Sequence, residues 1–531
     1  MATDNEPQTT DKLIWILLTI AVIFIYFFGL DVPLLGPDEP RYAQVAREML
    51  ERGDWITPTL GGFEWFEKPS LLYWLEITAY KIFGVSEFAA RFGSALFGLG
   101  TIFCLWLLGK QSAVSGLRSD EKTKGEERRT KDEFANWLAL IAASSIGLLV
   151  FSRGASFDII LTFPVTASLV SFFIWENSRG KMNGHNDFPK TAARSAALIS
   201  FYFFTGVALL AKGLVGVVFP FGVVAVYYLF SFKFPPRTFV FSLFWGTILS
   251  LSVAALWYLP MYQAHGWEFI DEFFVQHHFQ RYLSNKYLHP QPFWFFWLIL
   301  PLMTIPWLPF FLASIVDLIK NIFQPRYNGH APGENKKLST LDSRLSTFAL
   351  AWLLVPLVFF SLSGSKLPGY ILPAVPAALI LTTDCVVRFV RESKRREIAL
   401  QIVAFLMFTV SFVILQFFSA TYARRETVKH LIAAADSRGF ANARILTLHN
   451  ISHSAEFYGA GRLQRLANGK QRYLYGVAEV IEFIEQNENK PVLVLVPLER
   501  LKDLTECDLV SSRILEDNGK VAIALVSRGE K

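Results

Sequence analysis

Cysteine is scarce in this sequence, with three residues among 531, at Cys104, Cys385 and Cys507. Two of them lie in apolar runs and the third lies near the C-terminus, so we expect neither a disulfide framework nor a cysteine metal site. The first apolar run is preceded by a single basic residue, Lys12, and is followed by no small-residue cleavage site. We therefore interpret that run as a retained signal anchor.

Other absences narrow the classes of function. The region after residue 422 contains no nucleotide fingerprint, no glycine-rich phosphate loop and no repeat. The apolar runs carry their charges at their ends, and no convincing internal symmetry relates them, which disfavours a lipid or sugar transporter. The net charge of +6 is concentrated in particular loops, so we attribute it to membrane topology rather than to nucleic-acid binding.

Apolar and aromatic residues are abundant instead. Hydrophobic residues make up 52% of the chain, which contains 50 Phe and 14 Trp. Apolar runs of about 20 residues recur, and this is the length that crosses ~30 Å of hydrocarbon. We predict a polytopic α-helical membrane protein. Its predicted spans, about 11 in number, are 13–30, 88–109, 136–152, 159–176, 195–211, 214–231, 238–262, 292–318, 346–362, 371–387 and 398–419.

The loops between these spans indicate an orientation. Alternate loops rich in Lys and Arg all fall on one side of the predicted topology, which the positive-inside rule makes cytoplasmic. These basic loops are 110–131, 179–194, 233–237, 320–344 and 388–396. The first loop (31–87) and everything after about residue 422 then face outward.

Two domains are predicted on this basis: a transmembrane domain (1–421) and a small soluble periplasmic domain (422–531). The second contains strand-like segments at 443–448, 491–496 and 520–526. Helical periodicity at 425–437 and 476–487 completes a compact α/β arrangement.

The first outer loop is too polar to cross a bilayer and too regular to be a linker. Four apolar residues at helical spacing give its first helix one apolar face: Tyr42, Val45, Ala46 and Met49. Pro40 suits the first turn of that helix, and Gly53 suits its end. A second helix is predicted from Ser70 to Phe83. We expect both helices to lie on the membrane surface.

Ionisable and aromatic residues collect in the segments that face outward. The first loop contributes Asp38, Glu39, Arg41, Tyr42, Glu67 and Lys68, and later loops contribute Arg153, Asp158, Lys212, His277, His278, Arg281, Lys366 and Tyr370. Such residues are costly at the ends of apolar spans unless they are paired or solvated. A shared cavity with more cations than carboxylates would suit a phosphate-bearing ligand, and an apolar wall would suit a lipid tail.

Structural explanations stay open for each of these residues. Asp38 caps a helix on this view, and Arg41 snorkels to the interface. Lys212 and Lys366 then anchor span ends, Asp158 pairs with Arg153, and the two adjacent histidines serve the fold rather than a metal.

Seven stretches, in order over about the first 375 residues, resemble those of a known family. They are PDEPRYAQVAREMLERGDWITP, FEKPSLLYW, GVSEFAARFGSAL, RGASFD, LAKG, HHFQRY and SKLPGYILP. The chain resembles the bacterial aminoarabinose transferases, membrane glycosyltransferases that use polyprenyl-phosphate sugars and are related to protein O-mannosyltransferases. The resemblance implies a GT-C-type fold with interfacial helices in the first outer loop and a C-terminal periplasmic domain in a bacterial inner-membrane protein.

The resemblance also implies a reaction, which is an inverting transfer of an aminoarabinose- or mannose-like sugar from polyprenyl phosphate. The expected acceptor is lipid A or another envelope glycolipid, and the alternative is protein Ser or Thr, or a glycan. No metal is expected in catalysis. Where the family binds a structural zinc, the matching positions are Glu67 with His277 or His278.

Roles follow from the chemistry of the transfer. Displacement at the anomeric carbon passes through an oxocarbenium-like state, and the leaving lipid phosphate gains negative charge. We assign its stabilisation to Lys68, Lys212 and Arg281, with Arg41 and Lys366 as supports. Asp38 is the predicted base or acceptor-orienting group, with Asp158 second. The predicted substrate contacts are Glu39, Tyr42 and Tyr370.

Overall fold

The computed structural model describes residues 6–111, 124–179, 188–280, 282, 291–323 and 343–529. It is mostly helical and ends in a small sheet. The helices as far as residue 323 are α1 (Glu6–Phe27), α2 (Asp38–Arg52), α3 (Leu71–Phe83), α4 (Glu87–Gln111), α5 (Lys124–Ser144), α6 (Ile146–Phe151), α7 (Phe157–Arg179), α8 (Phe188–Lys212), α9 (Val215–Phe230), α10 (Arg237–Ile270), α11 (Phe295–Met303) and α12 (Leu308–Phe323).

The remaining helices are shorter toward the C-terminus. They are α13 (Ser343–Ser361), α14 (Val375–Val390), α15 (Lys394–Val413), α16 (Ser419–Glu426), α17 (Lys429–Ala435), α18 (Ser454–Tyr458), α19 (Val477–Gln486) and α20 (Lys502–Thr505). Segments of π- or 3₁₀-helix occupy Asp271–Gln280, Pro368–Ala374, Ile414–Phe418, Asp436–Phe440 and Leu498–Arg500.

The protein is a multi-pass membrane protein. Within the described ranges, 7 helical stretches are long and apolar enough to cross a bilayer: Glu87–Gln111, Phe157–Arg179, Ala192–Lys212, Arg237–His277, Ser343–Ser361, Pro368–Val390 and Lys394–Glu426. Two shorter apolar helices are Lys12–Phe27 and Val215–Phe230. Each predicted span overlaps one helix or a run of two or three consecutive helical segments. The number of membrane crossings itself stays a prediction.

The chain divides into two compact units. We call the first the helical unit, and it contains Met1–Phe28, Glu67–Leu71 and Ser94–Ser411. We call the second the loop–tail unit, and it contains Gly29–Phe66, Leu72–Gly93 and Phe412–Lys531. The predicted domain boundary after residue 421 stays a prediction.

Aromatic packing accounts for much of the Phe and Trp content of the helical unit. The ring of Phe172 on α7 contacts those of Phe201 on α8 and Tyr227 on α9, at centroid distances of 5.8 and 6.2 Å. Phe348 on α13 stacks on the same ring at 6.0 Å. Such pairs stabilise a core beyond their buried area. They fix the helices α7 and α8, whose ends carry the candidate site.

In the loop–tail unit, α2 is the predicted first-loop helix. Its four predicted apolar residues, Tyr42, Val45, Ala46 and Met49, are buried. The helix ends at Gly53, whose left-handed φ of 68° suits glycine and whose N–H closes the last turn on Leu50. Asp38 is not a cap. The cap position belongs to Pro37, and Asp38 is the first helical residue.

The second predicted helix is α3, and it packs against α2. The Tyr80 hydroxyl donates to the Ala43 carbonyl at 3.2 Å, and Trp74 Nε1 donates to the Trp55 carbonyl at 2.7 Å. Tyr73 and Glu76 are buried on the same helix. We also expect Tyr73, Trp74 and Phe83 to face protein or lipid headgroups rather than bulk water. The burial of Tyr73 and the hydrogen bond of Trp74 agree with this expectation, whereas Phe83 is 47% exposed and its contact with headgroups stays a prediction.

The tail forms a five-stranded mixed sheet of order β4-β3-β5-β7-β6. Its strands are β3 (Ile445–Leu448), β4 (Tyr473–Leu474), β5 (Val492–Pro497), β6 (Val510–Asp517) and β7 (Val521–Arg528), whereas β1 (Thr59–Leu60) and β2 (Phe63–Glu64) form a hairpin in the first loop. Strand β3 pairs in parallel with β4 and β5, and β7 pairs antiparallel with β5 and β6. The three predicted strands are confirmed, and β4 and β6 are additions.

Candidate functional site

A carboxylate and an ammonium group meet at the ends of two packed apolar helices in the helical unit. Asp158 lies in the first turn of α7, and Lys212 is the last residue of α8. The Lys212 ammonium donates directly to Asp158 Oδ1, and both side chains are largely buried. The Ser156 hydroxyl donates to Asp158 Oδ2 at 3.3 Å. Two segments predicted for the site, RGASFD and LAKG, are therefore brought together.

A third predicted segment, SKLPGYILP, reaches the same pair. Lys212 Nζ lies 4.7 Å from the ring centroid of Tyr370, which places the cation over an aromatic face. The backbone of Gly369 passes so close that a Cβ atom there would lie 1.8 Å from Asp158 Oδ2. Only glycine permits this approach. Asp158, Lys212 and Tyr370 thus form one cluster, which we call the Asp158 cluster.

Lys366 lies just before this cluster in the chain and is buried. Its ammonium donates to the Ser363 carbonyl at 2.6 Å, and burial lowers the pKa of Lys366 from its ordinary value. Tyr282 holds the same turn, because its carbonyl accepts the Gly364 N–H at 2.8 Å and its hydroxyl donates to the Phe359 carbonyl at 3.1 Å. Lys366 is therefore an internal cation and not an interfacial anchor.

The structural alternative for Asp158 was an ion pair with Arg153, and the structure does not form that pair. Arg153 directs its guanidinium to the carbonyls of Ile25 and Phe28. Asp158 has Lys212 as its ion-pair partner. Arg153 thus serves the end of α1, and Asp158 stays with the cluster.

Lys68 and Glu67 form an ion pair at 2.8 Å, with side chains that are 12% and 13% exposed. His277 Nε2 lies 3.8 Å from Glu272. Across the described residues, no group of three His, Cys, Asp or Glu side chains is arranged to hold a metal ion. The His278 side chain and Arg281 lie outside the described residues, so the zinc prediction and the role of Arg281 stay predictions.

In the loop–tail unit, Asp38 and Arg41 form a second charged pair at 2.5 Å. Arg41 Nε also donates to the Pro37 carbonyl at 2.8 Å, and the guanidinium lies 5.7 Å from the ring centroid of Trp65. The Asp38 side chain is 49% exposed, so its carboxylate remains open to solvent or to a ligand. Arg41 is held by protein contacts and is more than a snorkelling residue.

Glu39 and Tyr42, the predicted substrate contacts of this unit, face inward. Arg91 donates to both Glu39 oxygens, at 3.0 and 2.7 Å, and the Leu35 N–H donates to the same carboxylate at 2.9 Å. Tyr42 is 5% exposed and packs edge-on against Tyr73. These contacts give Glu39 and Tyr42 a structural function, and their contact with substrate stays a prediction.

Sequence reasoning missed two residues of importance. Gly369 was part of a quoted motif, but its close approach to Asp158 is visible only in three dimensions. His453, from the tail, lies near the Asp38–Arg41 pair: burial and the Arg41 cation lower the pKa of His453, and the Asp38 carboxylate opposes them. A single histidine more than 400 residues along the chain from Asp38 and Arg41 leaves no pattern in the sequence, so no signal pointed to it.

Comparisons with known proteins agree with this architecture. The Dolichyl-phosphate-mannose-protein mannosyltransferase family matches residues 14–118 and 126–271. The undecaprenyl phosphate-alpha-4-amino-4-deoxy-L-arabinose arabinosyl transferase of Shewanella sediminis is 29% identical over 388 residues, which are 72% of this chain and 62% of that protein. The transferase of the same name from Yersinia enterocolitica is 30% identical over 384 residues, 70% of this chain and 59% of its own length.

Solved structures show the same fold. ArnT from Cupriavidus metallidurans in the apo state has a TM-score of 0.75 at 20% identity, covering 98% of both chains. The structure of that protein bound to undecaprenyl phosphate has a TM-score of 0.71, covering 96% of this chain and 97% of the other. The Archaeoglobus fulgidus oligosaccharyltransferase gives 0.54 at 13% identity, over 92% of this chain and 69% of its own.

The sequence matches to the curated transferases span about three fifths of the length of those relatives. The structural matches extend over nearly the whole of both ArnT chains. The resemblance to aminoarabinose transferases and protein mannosyltransferases is thereby confirmed, and the fold is that of the GT-C-type membrane glycosyltransferases.

Proposed function

We propose that this relative of the undecaprenyl-phosphate aminoarabinose transferases is itself a glycosyltransferase. It moves an aminoarabinose- or mannose-like sugar from a polyprenyl-phosphate donor to lipid A or another envelope glycolipid. The reaction takes place at the outer face of a bacterial inner membrane, with the C-terminal region in the periplasm. The observation that carries the proposal is the Asp158 cluster, a buried ion pair assembled from three motif segments at the ends of apolar helices.

The donor dictates what the cluster does. The bond between the anomeric carbon and the phosphate oxygen breaks, and the polyprenyl phosphate leaves with the electron pair. A cation at a largely buried position stabilises that developing charge far better than one in bulk water. Lys212 fits this function because Asp158 and the Tyr370 ring hold its ammonium in place. Lys68 and Arg281 are proposed to share it, with Arg41 and Lys366 in support.

The acceptor forms the new bond to the anomeric carbon. A hydroxyl acceptor must lose its proton, and Asp38 is the proposed base because its carboxylate is half-exposed. A phosphate acceptor is already an anion, and Asp38 then positions it and stabilises the cationic sugar. The chemistry needs no metal, since the fixed cations of the chain supply the charge. A structural zinc held by Glu67, His277 and His278 remains part of the proposal.

The second candidate is transfer to protein Ser or Thr, or to a glycan. The observation in its favour is the match to the protein mannosyltransferase family over residues 14–118 and 126–271. Both candidates use a lipid-phosphate sugar, so they differ only in the acceptor.

A reconstituted assay separates these candidates. The purified full chain in nanodiscs is incubated with polyprenyl-phosphate aminoarabinose or mannose, and with lipid A or a Ser/Thr-rich peptide, and products are identified by mass spectrometry. We expect modified lipid A. Modified peptide alone would favour the second candidate, and no product with any pair would contradict both.

The same assay tests the cation. Lys212→Ala removes the proposed phosphate contact and should lower transfer by about a hundredfold or more. Lys233→Ala, which removes an exposed lysine of a predicted cytoplasmic loop, is the matched control and should retain activity. Equal activity in the two variants would remove Lys212 from the mechanism.

A further inference from the structure

The loop–tail unit contains a cavity of about 420 Å³, and none of its lining residues is assigned to the proposed reaction. Ligand sites commonly occupy about 300–1,000 Å³, so the volume suits a sugar-sized group. Its walls come from three places in the chain: the residues just before α2, the end of α16, and the loops of the tail around residues 450 and 520. We call it the tail cavity.

The charges of the tail cavity favour an anion. Two of its lining residues are cations, Arg425 and Lys520, and one is a carboxylate, Glu426. Lys520 pairs with Glu426 at 2.5 Å. Arg425 is exposed and has no ion-pair partner among the described residues. An arginine is well suited to a phosphate because its planar guanidinium binds two oxygens at once.

The other lining groups favour an amphiphile with a sugar head. Asn450 Oδ1 is buried and accepts no hydrogen bond from the described residues, so it can accept one from a hydroxyl or amine of a ligand. Tyr422 and Ile451 line the same cavity and are 58% and 41% exposed. Tyr422 and Arg425 also belong to the last turns of the apolar stretch Lys394–Glu426, a position that suits a lipid at a membrane surface.

The tail cavity borders the Asp38–Arg41 pair. Pro37, which lines it, directly precedes Asp38, and the Pro37 carbonyl accepts a hydrogen bond from Arg41 Nε at 2.8 Å. His453, also in the wall, is close enough for both charged groups to influence its titration. A group seated in this cavity is therefore adjacent to the carboxylate that is proposed to orient the acceptor.

We propose that the tail cavity binds the phosphorylated sugar head of the acceptor lipid, with Arg425 contacting the phosphate and Asn450 the sugar. This inference rests on the proposed function and assigns its acceptor subsite. The tail then takes part in acceptor specificity, because residues that it contributes contact the acceptor.

Steady-state kinetics of the purified full chain test the subsite. Arg425→Glu should raise the KM for lipid A by about tenfold or more, because a charge-assisted hydrogen bond is replaced by repulsion. The KM for the polyprenyl-phosphate sugar should change less than about twofold, since Arg425 is not among the proposed donor cations. Arg425→Lys should fall between. Arg500→Glu, an exposed arginine of the tail outside the cavity, is the matched control and should behave as the wild type.

Native mass spectrometry of the same variants identifies the source of the phosphate. Lipid A should bind the wild type and bind Arg425→Glu weakly, whereas dephosphorylated lipid A should bind both weakly. Equal competition by phosphatidylglycerol or by undecaprenyl phosphate would overturn the acceptor assignment. So would a rise in donor KM, or identical kinetics for Arg425→Glu and Arg500→Glu.

Different results would contradict the proposed function and the acceptor subsite. If the wild type transfers no sugar, the proposed function fails, and phosphate-dependent lipid A binding still tests the cavity. If the wild type is active but Arg425 has no effect on acceptor use, only the subsite fails. Should Arg425→Glu not fold, Ile451→Trp is measured in its place, because an indole at this exposed position narrows the cavity and should also raise the acceptor KM.

Discussion

At the scale of single residues, the Asp158 cluster depends on a glycine that carries no chemistry. A methyl group at Gly369 would lie 1.8 Å from Asp158 Oδ2, so Gly369→Ala must displace the carboxylate or the backbone. Misplacement of a catalytic group by about 1 Å costs about a hundredfold in rate, and we expect a loss of that order in the transfer assay. Gly476→Ala, where a Cβ meets nothing within 4 Å, is the control. Full activity of Gly369→Ala would show that the position of Asp158 is unimportant.

A substitution at Asp38 distinguishes a role of its charge in transfer from a role in stabilising the fold. The carboxylate is not the cap of α2, so Asp38→Asn removes only a favourable first-turn charge and the Arg41 pair, at a cost of about 0.3–1 kcal/mol. If Asp38 is the base or orienting group, transfer should fall at least about a hundredfold while the melting temperature barely changes. Asp508→Asn, an exposed tail residue, is the control. Retained transfer in Asp38→Asn would remove that role and leave the fold assignment intact.

Glu76 on α3 gives a pH-dependent prediction. Burial, and then the nearby Glu39 carboxylate, raise the pKa of Glu76 well above its ordinary value, and neither of its oxygens has a hydrogen-bond partner among the described residues. The folded protein therefore keeps its proton at pH values where the unfolded chain ionises. As the pH rises from the ordinary pKa of Glu76 toward its raised pKa in the folded protein, ionisation stabilises the unfolded state. The free energy of unfolding therefore falls over this pH range.

Glu76→Gln cannot ionise and should escape this loss. We expect its melting temperature to match the wild type in acid and to exceed it increasingly as the pH rises to 8, measured by nanoscale fluorimetry. Glu506→Gln, an exposed carboxylate of the tail, should show no such trend. A difference between Glu76→Gln and the wild type that is constant with pH would contradict the buried, protonated carboxyl.

Three residues of the Asp158 cluster could be predicted from the sequence, but their pairing could not. Asp158, Lys212 and Tyr370 were predictable because each lies beside the end of an apolar run, where a polar residue requires a reason. The partner of Asp158 was not, since Arg153 is nearer in the chain than Lys212. Distance along the chain is a poor guide where helices pack side by side, and α7 and α8 return their ends to the same place.

At the scale of elements, the C-terminal region is joined to the first loop by a half-buried tyrosine. The Tyr458 hydroxyl accepts the Leu34 N–H at 2.8 Å and donates to Glu87 at 2.9 Å, and Lys429 pairs with the same carboxylate at 2.6 Å. Tyr458→Phe leaves the Leu34 N–H without this acceptor. We expect about 1–3 kcal/mol of destabilisation, seen as a lower melting temperature.

The exposed Tyr475→Phe is the matched control for that change, because its hydroxyl makes no hydrogen bond within the described structure. We also expect Tyr458→Phe to increase proteolysis within residues 29–37, since the Leu34 backbone loses an anchor. Equal stability of the two variants would show that the tyrosine does not secure the first loop.

Helices and strands were predicted correctly where the hydrophobic periodicity and the residues that end an element indicated the same structure. Helix α2 has four apolar residues at helical spacing and a glycine stop, and strands β5 and β7 are continuous apolar runs. Strand β4 was missed because it is two residues long, and β6 because its sequence is polar and its pairing with β7 is interrupted by a bulge. Pairing to a neighbour, and not local pattern, makes these two segments strands.

At the scale of the whole molecule, topology follows from charge. All five basic loops fall on one side of the predicted spans, so the N-terminus and the loop around residue 120 are expected in the cytoplasm and the tail in the periplasm. Alkaline phosphatase and green fluorescent protein fusions at residues 120 and 470 should report opposite compartments. The same compartment for both would contradict the topology and the outward-facing site.

The measurement that tests the central claim most directly is mass spectrometry of envelope lipids and glycans from cells with and without the gene. We predict a lipid A or glycolipid species with one added pentose- or hexose-sized sugar, present only with the gene. It should disappear when Asp38→Asn or Lys212→Ala replaces the wild-type chain and persist with Lys233→Ala. An unchanged set of envelope lipids and glycans, in cells shown to make the polyprenyl-phosphate donor, would contradict the account.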